Sequence, residues 1–194
     1  SPCRKIKRLK GGTLPPWSED QIAAALAGLP AYLRRAVVLA VYTGQRRGDL
    51  CAMRWDACDG EAIRLRQSKT GAELVIPLHP ILRAEMAAWR REANSLHILT
   101  TRRGRPWIPT HLSQDLGRAL VALGLPPGLN IHGLRKAAAA RLADAGCTVH
   151  EIAAITGHTT LAMIALYTQR ADQERLANAA IKRLQLVHTT KDRN

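Results

Sequence analysis

Apolar residues recur at helical spacing along most of this chain, and glycine or proline interrupts the pattern at short intervals. Ser18 can cap a helix running through QIAAALAGL, with Gln21 as its capping-box partner, until Pro30 breaks the run. A second helix over residues 32–42 is almost wholly apolar apart from Arg34 and Arg35, which marks it as a central core element. Gly44 ends it, and a short helix over 47–53 follows, closed by Trp55 and Asp56.

The period changes after Asp59. EAIRLRQ alternates, SKTG is turn-like and ELVIPL is extended again, so a hairpin is predicted with Lys69 at or beside its tip. Helix returns over 81–92, followed by a short strand at 97–100 and the basic turn RRGRP. Thr110 is the expected cap of a helix reaching Leu123, after which Gly124, Pro126 and Pro127 break the chain. IHGLRKAAAARLADAG reads as helix to Gly146, and Thr148 with Glu151 has capping-box spacing for the next one, which Gly157 interrupts. Thr159 or Thr160 is placed to start the segment bearing Tyr167, and residues 172–186 form one more amphipathic helix before a fraying tail. The predicted fold is mainly α with a small antiparallel β-sheet, without internal repeats, coiled coil or low-complexity tract.

At 194 residues the chain suits one compact domain with a substantial core. Its formal charge of +14, from 29 Lys and Arg against 15 Asp and Glu, favours a polyanionic partner. Cys3, Cys51, Cys58 and Cys147 lack paired spacing, so a disulfide framework or zinc knot is not expected; Cys51 and Cys147 should be partly buried. The longest apolar runs are too short to span a bilayer and no secretion signal is legible, which points to the cytoplasm or nucleoid. Residues 1–10 carry five basic groups and no acidic one, and read equally as a solvated end or a DNA-contacting linker. The chain begins without methionine, and an upstream portion is expected to be missing.

Candidate chemistry lies in short polar phrases. His132 and Arg135, three apart on a helix, can hold two oxygens of one phosphate, although such a pair also fits ordinary surface or capping residues. Arg46 follows the helix break at Gly44, and Asp49 could orient it or simply close the junction as an ion pair. Lys69 fits a solvated hairpin tip as well as a functional one. Arg102, Arg103 and Arg105 suit solvent or DNA phosphates. Tyr167 is either a nucleophile or a half-buried aromatic, a description that Tyr32 and Tyr42 fit better because they flank the core helix. His132 and His158 have no cysteine or carboxylate at familiar zinc spacing, so neither a metal nor any other cofactor is expected.

Arg46 in TGQRRGDL, Lys69 in SKTG, His132 and Arg135 in IHGLRK, His158 in ITGHTT and Tyr167 in LYT occur in an order and in phrases that resemble the catalytic domain of tyrosine recombinases, the lambda-integrase family. The resemblance covers about residues 14–169. It implies that Tyr167 attacks the scissile phosphate, that Arg46 and Arg135 bind its non-bridging oxygens and that Lys69 protonates the departing 5′ oxygen. His132 would assist proton transfer or bind the phosphate, and His158 would be a further phosphate ligand.

These roles agree with elementary chemistry. Only about one phenol in a thousand is ionised at pH 7, so nearby cations are needed to favour the phenoxide. Guanidinium groups keep their charge while other groups exchange protons, and a lysine releases a proton to an alkoxide more readily. A 3′-phosphotyrosine would conserve the phosphodiester for religation without a cofactor.

The resemblance divides the chain into a basic linker remnant at 1–12, a catalytic domain at 13–170 and a C-terminal helix and tail at 171–194 that can be exchanged between protomers. It implies double-stranded DNA as partner, a tetramer on recombining DNA, a monomer in isolation and possible accessory DNA-bending proteins. Asp49 departs from the family's usual glutamate, and the separate core-binding domain that normally precedes the catalytic one is not seen, so weak DNA binding is expected. An integrase of a phage or mobile element is the leading expectation. A chromosome-dimer-resolving or transposon recombinase, or a non-catalytic DNA-binding relative, stands as the alternative.

Overall fold

The computed structural model describes residues 15–160 together with 162, 164, 165, 177, 178 and 181. Tyr167 and most of the helix expected over 172–186 lie outside the described residues.

Helix α1 spans Glu19–Gly28 and opens with the expected capping box of Ser18 and Gln21. Helix α2 spans Ala31–Thr43, and its residues 36–41 are all buried, because an apolar helix is stable in water only when surrounded. Its two arginines are consumed by ion pairing: the Arg34 fork donates to both oxygens of Glu85 at 2.9 and 2.5 Å, and Arg35 donates to Glu92 at 2.6 Å. Gly44 ends α2 in the left-handed conformation, with φ of 62°. That glycine is required twice over, since a Cβ there would also lie 2.8 Å from Thr156 Cγ2.

Helix α3, Arg47–Ala52, and a 3₁₀ turn at Trp55–Ala57 lead into the hairpin of β1, Ala62–Arg66, and β2, Glu73–Pro77. The strands are antiparallel, with Arg64 opposite Val75 and Arg66 opposite Glu73. Helix α4, Pro80–Arg91, buries Leu82, Met86 and Trp89, and α5, Pro109–Ala122, buries Leu112, Leu116 and Leu120, each set spaced three or four apart. Helix α6, Ile131–Asp144, packs along α2, with the small residues Ala137 and Ala138 buried beside it, while Ala139 joins a second cluster with Ala143 and Ile152. Helix α7, Val149–Thr156, has the expected capping box of Thr148 and Glu151 and ends at Gly157, again left-handed.

Two local expectations are corrected. No strand forms at 97–100; His97 and Thr100 make only isolated pairings with Arg54 and Pro106, because the basic turn carries the chain away after one residue of contact. Thr110 does not cap α5, which starts one residue earlier at Pro109 with Ile108 at the cap and no side-chain cap bond. Proline at a first helical position needs no N–H partner, so the hydroxyl is not required there. Cys51 is buried and Cys147 half-buried as expected, and burial pushes the Cys51 thiol up to about 11.

Candidate active site

The ends of α2, β1 and α7 meet at one place, and a network of buried amides joins them. Gln45, directly after Gly44, is fully buried and donates from Nε2 to the carbonyls of Thr43 at 2.9 Å and Ile155 at 2.8 Å. Gln67, at the end of β1 and 1% exposed, donates from Nε2 to Gln45 Oε1 at 2.7 Å and to the Thr156 carbonyl at 2.9 Å. Its Oε1 accepts from Arg46 Nη1 at 2.6 Å and from the Thr70 hydroxyl at 2.9 Å. Sequence reasoning missed both glutamines, whose only signal was their position beside Arg46 and the SKTG turn.

Arg135 reaches the same hub from α6. It is 2% exposed, and its Nη1 donates to the Gly44 carbonyl at 2.7 Å and the Thr156 carbonyl at 2.6 Å. The expected sharing of one helix face by His132 and Arg135 is therefore only half of the arrangement. Both line a cleft of about 540 Å³ together with Arg46, Arg47, Gly48 and Ser113, but His132 stays exposed while Arg135 is drawn inward by carbonyls at the ends of α2 and α7.

The start of α6 is fixed by local contacts. Asn130 caps the helix by accepting from Gly133 N at 3.0 Å, and Trp17 Nε1 donates to the Asn130 carbonyl at 3.0 Å. Gly133 makes this possible, because a Cβ there would lie 2.7 Å from the Trp17 ring. The glycine inside HGLR thus seats an indole on the turn that presents His132.

Asp49 is 3% exposed and lies 3.9 Å from Arg46 Nη1, so an ion pair closes the junction but its hydrogen bonds go elsewhere. Its Oδ1 accepts from both the N–H and the hydroxyl of Ser68, each at 2.9 Å. The carboxylate therefore ties α3 to the turn that carries Lys69, while Gln67 rather than Asp49 orients Arg46. Lys69 itself is exposed at the hairpin tip. Arg47 is exposed and donates to Ser113 Oγ at 2.8 Å, bridging α3 to α5. Arg102, Arg103 and Arg105 are exposed, as expected.

The imidazoles report the local field. Partial burial, followed by the charges of Lys136, Arg135, Arg46 and Lys69, lowers the His132 pKa although solvent reaches the ring. Burial, followed by Arg135, Arg46 and His132, depresses His158 to about 4. Arg46, Lys69, His132, Arg135 and His158 therefore act on one another electrostatically, and their joint field disfavours any further positive charge. The same field favours an anion.

The His158 tautomer follows from its partners. Thr156 Oγ lies 2.6 Å from the Ile152 carbonyl and 2.7 Å from His158 Nδ1. A carbonyl can only accept, so the single hydroxyl proton goes to Ile152 and Nδ1–H donates to Thr156, which leaves Nε2 of the neutral ring without a proton. Among the described residues no group of three or more His, Cys, Asp or Glu could hold a metal ion, and no helix is long and apolar enough to cross a membrane.

A mainly helical domain with a two-stranded hairpin thus brings Arg46, His132 and Arg135 to one cleft, with Lys69 and His158 near enough to share its electrostatic field. Residues 14–174 match the phage integrase family, and the chain belongs to that family, the tyrosine recombinases. The integrase of Escherichia phage HK022 is 39% identical over 123 residues, covering 57% of this chain and 34% of that protein. Tyrosine recombinase XerC of Mycobacterium sp. (strain KMS) is 27% identical over 177 residues, 86% of this chain and 56% of that protein. The chain thus spans between about a third and rather more than half of these relatives. Among solved structures, the lambda integrase catalytic core superposes with a TM-score of 0.66 at 30% identity, covering 75% of this chain and 96% of that one. A lambda integrase dimer bound to a COC′ core site gives 0.68 at 30% identity, over 84% of this chain and 50% of that one. The fold is that of a tyrosine recombinase catalytic domain.

Proposed function

We propose that this chain is the catalytic unit of a site-specific DNA recombinase, serving a phage or other mobile element, that cleaves and rejoins duplex DNA through a 3′-phosphotyrosine at Tyr167. The observation that carries the reading is the meeting of Arg46 and Arg135 at one hub beside one cleft. Gln67 orients the Arg46 guanidinium and the Gly44 and Thr156 carbonyls orient that of Arg135, so neutral acceptors set the direction of both.

In this reading the Tyr167 oxygen attacks phosphorus as the P–O5′ bond breaks. Negative charge grows on the equatorial oxygens, where Arg46 and Arg135 stabilise it with no reorganisation at the moment of reaction. Lys69, exposed at the hairpin tip, gives its proton to the 5′ oxygen. His132, kept neutral by its surroundings, takes the phenolic proton. His158 binds a phosphate oxygen once the incoming anion has offset the cations that depress it and Nε2 has gained a proton. Religation reverses these steps with a different 5′ hydroxyl, and one ester replaces another without a metal or cofactor.

Lambda integrase has been solved as a dimer on a core site and as a tetramer on a Holliday junction, and we extend both assemblies to this protein on its own DNA. Residues 1–12 would run along the duplex and 171–194 would pack on a neighbouring protomer. The test is a suicide duplex bearing a phosphorothiolate at the cleavage position within the element's attachment sequence, incubated with the full-length protein. The expected result is a denaturant-resistant protein–DNA complex that Tyr167→Phe abolishes. Equal complexes from the two proteins would remove Tyr167 as the nucleophile, and no complex from either would leave a DNA-binding relative.

A further inference from the structure

We propose that Gln67 is a positioning residue for the phosphate site: its buried amide sets the Arg46 guanidinium and locks it to the carbonyl that also holds Arg135. The inference rests on the recombinase reading for its purpose but not for its geometry.

The amide has one orientation. Arg46 can only donate and the Thr156 carbonyl can only accept, so Oε1 must face Arg46 and Nε2 must face Thr156. The second donor of Nε2 goes to Gln45 Oε1 and the second lone pair of Oε1 to Thr70, which exhausts the hydrogen-bonding capacity of the group. Gln45 is oriented in turn, because its own Nε2 faces the Thr43 and Ile155 carbonyls. A glutamate at position 67 would set acceptors against Gln45 Oε1 and the Thr156 carbonyl, and an asparagine would fall a methylene short. Gly157 closes the remaining side: a Cβ there would lie 2.3 Å from Gln67 Nε2.

The consequence is a continuous path from Arg46 through Gln67 to the Thr156 carbonyl and Arg135. Being neutral, the amide orients Arg46 without cancelling its charge, which a carboxylate in the same place would do. An anion can therefore meet two guanidiniums whose spacing is set in advance, with the ordering cost already met in the folded protein.

The test uses inorganic sulfate, whose charge is constant from pH 5 to 8, and follows its dissociation constant through the arginine side-chain NMR signals of the full-length protein. Measurements are made well below the melting temperature of each variant. Gln67→Met keeps the length and volume while removing every hydrogen bond. It is expected to weaken sulfate by about tenfold or more, the loss for one misplaced charge-assisted bond. Arg46→Ala should weaken it similarly, and the double variant should bind no more weakly than Arg46→Ala alone, because Gln67 acts through Arg46. A purely structural amide would lower the melting temperature yet leave sulfate affinity unchanged in the folded protein.

Unchanged affinity in Gln67→Met, additive losses in the double variant, or an unvaried protein that binds no sulfate at Arg46 would each overturn the proposal. A second measurement covers a variant that does not fold: the Arg46 Nη protons of the unvaried protein should give separate, slowly exchanging signals, and averaged signals would refute the anchor. The sulfate result is independent of the covalent-complex assay, so failure of strand cleavage and failure of the anchor are told apart.

Discussion

A single carboxylate oxygen of Asp49 accepts from both the backbone N–H and the hydroxyl of Ser68, each at 2.9 Å, and so joins the helix that follows Arg46 to the turn that carries Lys69. Two groups far apart in sequence, proposed to act on a non-bridging oxygen and on the leaving oxygen of one phosphate, are thereby held in register by a residue that need touch neither substrate nor leaving group. The Arg46 contact at 3.9 Å is the weaker of the two links.

Asp49→Ala should therefore loosen the hairpin more than the arginine. Loss of hydrogen bonds to a charged, buried acceptor is expected to cost about 2–3 kcal/mol, read from the urea midpoint at unchanged slope. Asp49→Asn, which keeps an acceptor for Ser68, should cost about half of that. Hydrogen exchange at the Ser68 amide should quicken in the alanine variant, and a protected Ser68 amide would remove Asp49 as the anchor.

His158 predicts a pH dependence of stability. Its folded pKa is depressed to about 4, below the ordinary value near 6.5, so the unfolded chain holds the proton more tightly. Its contribution is complete above about pH 6.5 and is lost as pH falls toward 4, by at most about 3 kcal/mol across the window. His132, shifted in the same direction, adds to the same slope. Urea unfolding between pH 4 and 8 should show the slope, and His158→Gln should flatten it. Nitrogen chemical shifts should identify the Nδ1–H form at neutral pH; an Nε2–H ring would contradict the Thr156 contact.

Gly157 offers a one-atom perturbation of the hub. Its φ of 69° already disfavours alanine, and the added methyl would collide with the Gln67 amide. Backbone strain and overpacking together are expected to cost about 3 kcal/mol in Gly157→Ala, measured by thermal or urea unfolding. A variant as stable as the parent would mean that α7 and β1 are free to separate.

Helices α1, α2, α4, α6 and α7 were legible because their signals are local: an apolar stripe, a capping box at Ser18 or Thr148, a glycine at Gly44 or Gly157. The hairpin was legible from alternation around SKTG. The strand at 97–100 and the Thr110 cap were misread because a short apolar run does not reveal whether a partner lies beside it, and because a proline start needs no side-chain cap. The order of Arg46, Lys69, His132, Arg135, His158 and Tyr167 was enough to identify the family, since motif order is a property of the chain alone.

What no local pattern could reveal is how the cations are held. A glutamine looks the same in sequence whether it faces water or spends all its hydrogen-bonding capacity inside the protein, so Gln45 and Gln67 carried no periodic or motif signal. Nor does sequence show that Asp49 serves Ser68 rather than Arg46, or that Arg135 is buried against the Gly44 and Thr156 carbonyls while His132, one helical turn away, remains exposed. Each of these facts depends on segments distant in sequence meeting at one point. Burial there strips water from the polar groups and forces every donor and acceptor to find a partner from a distant segment, a condition that only the assembled fold imposes.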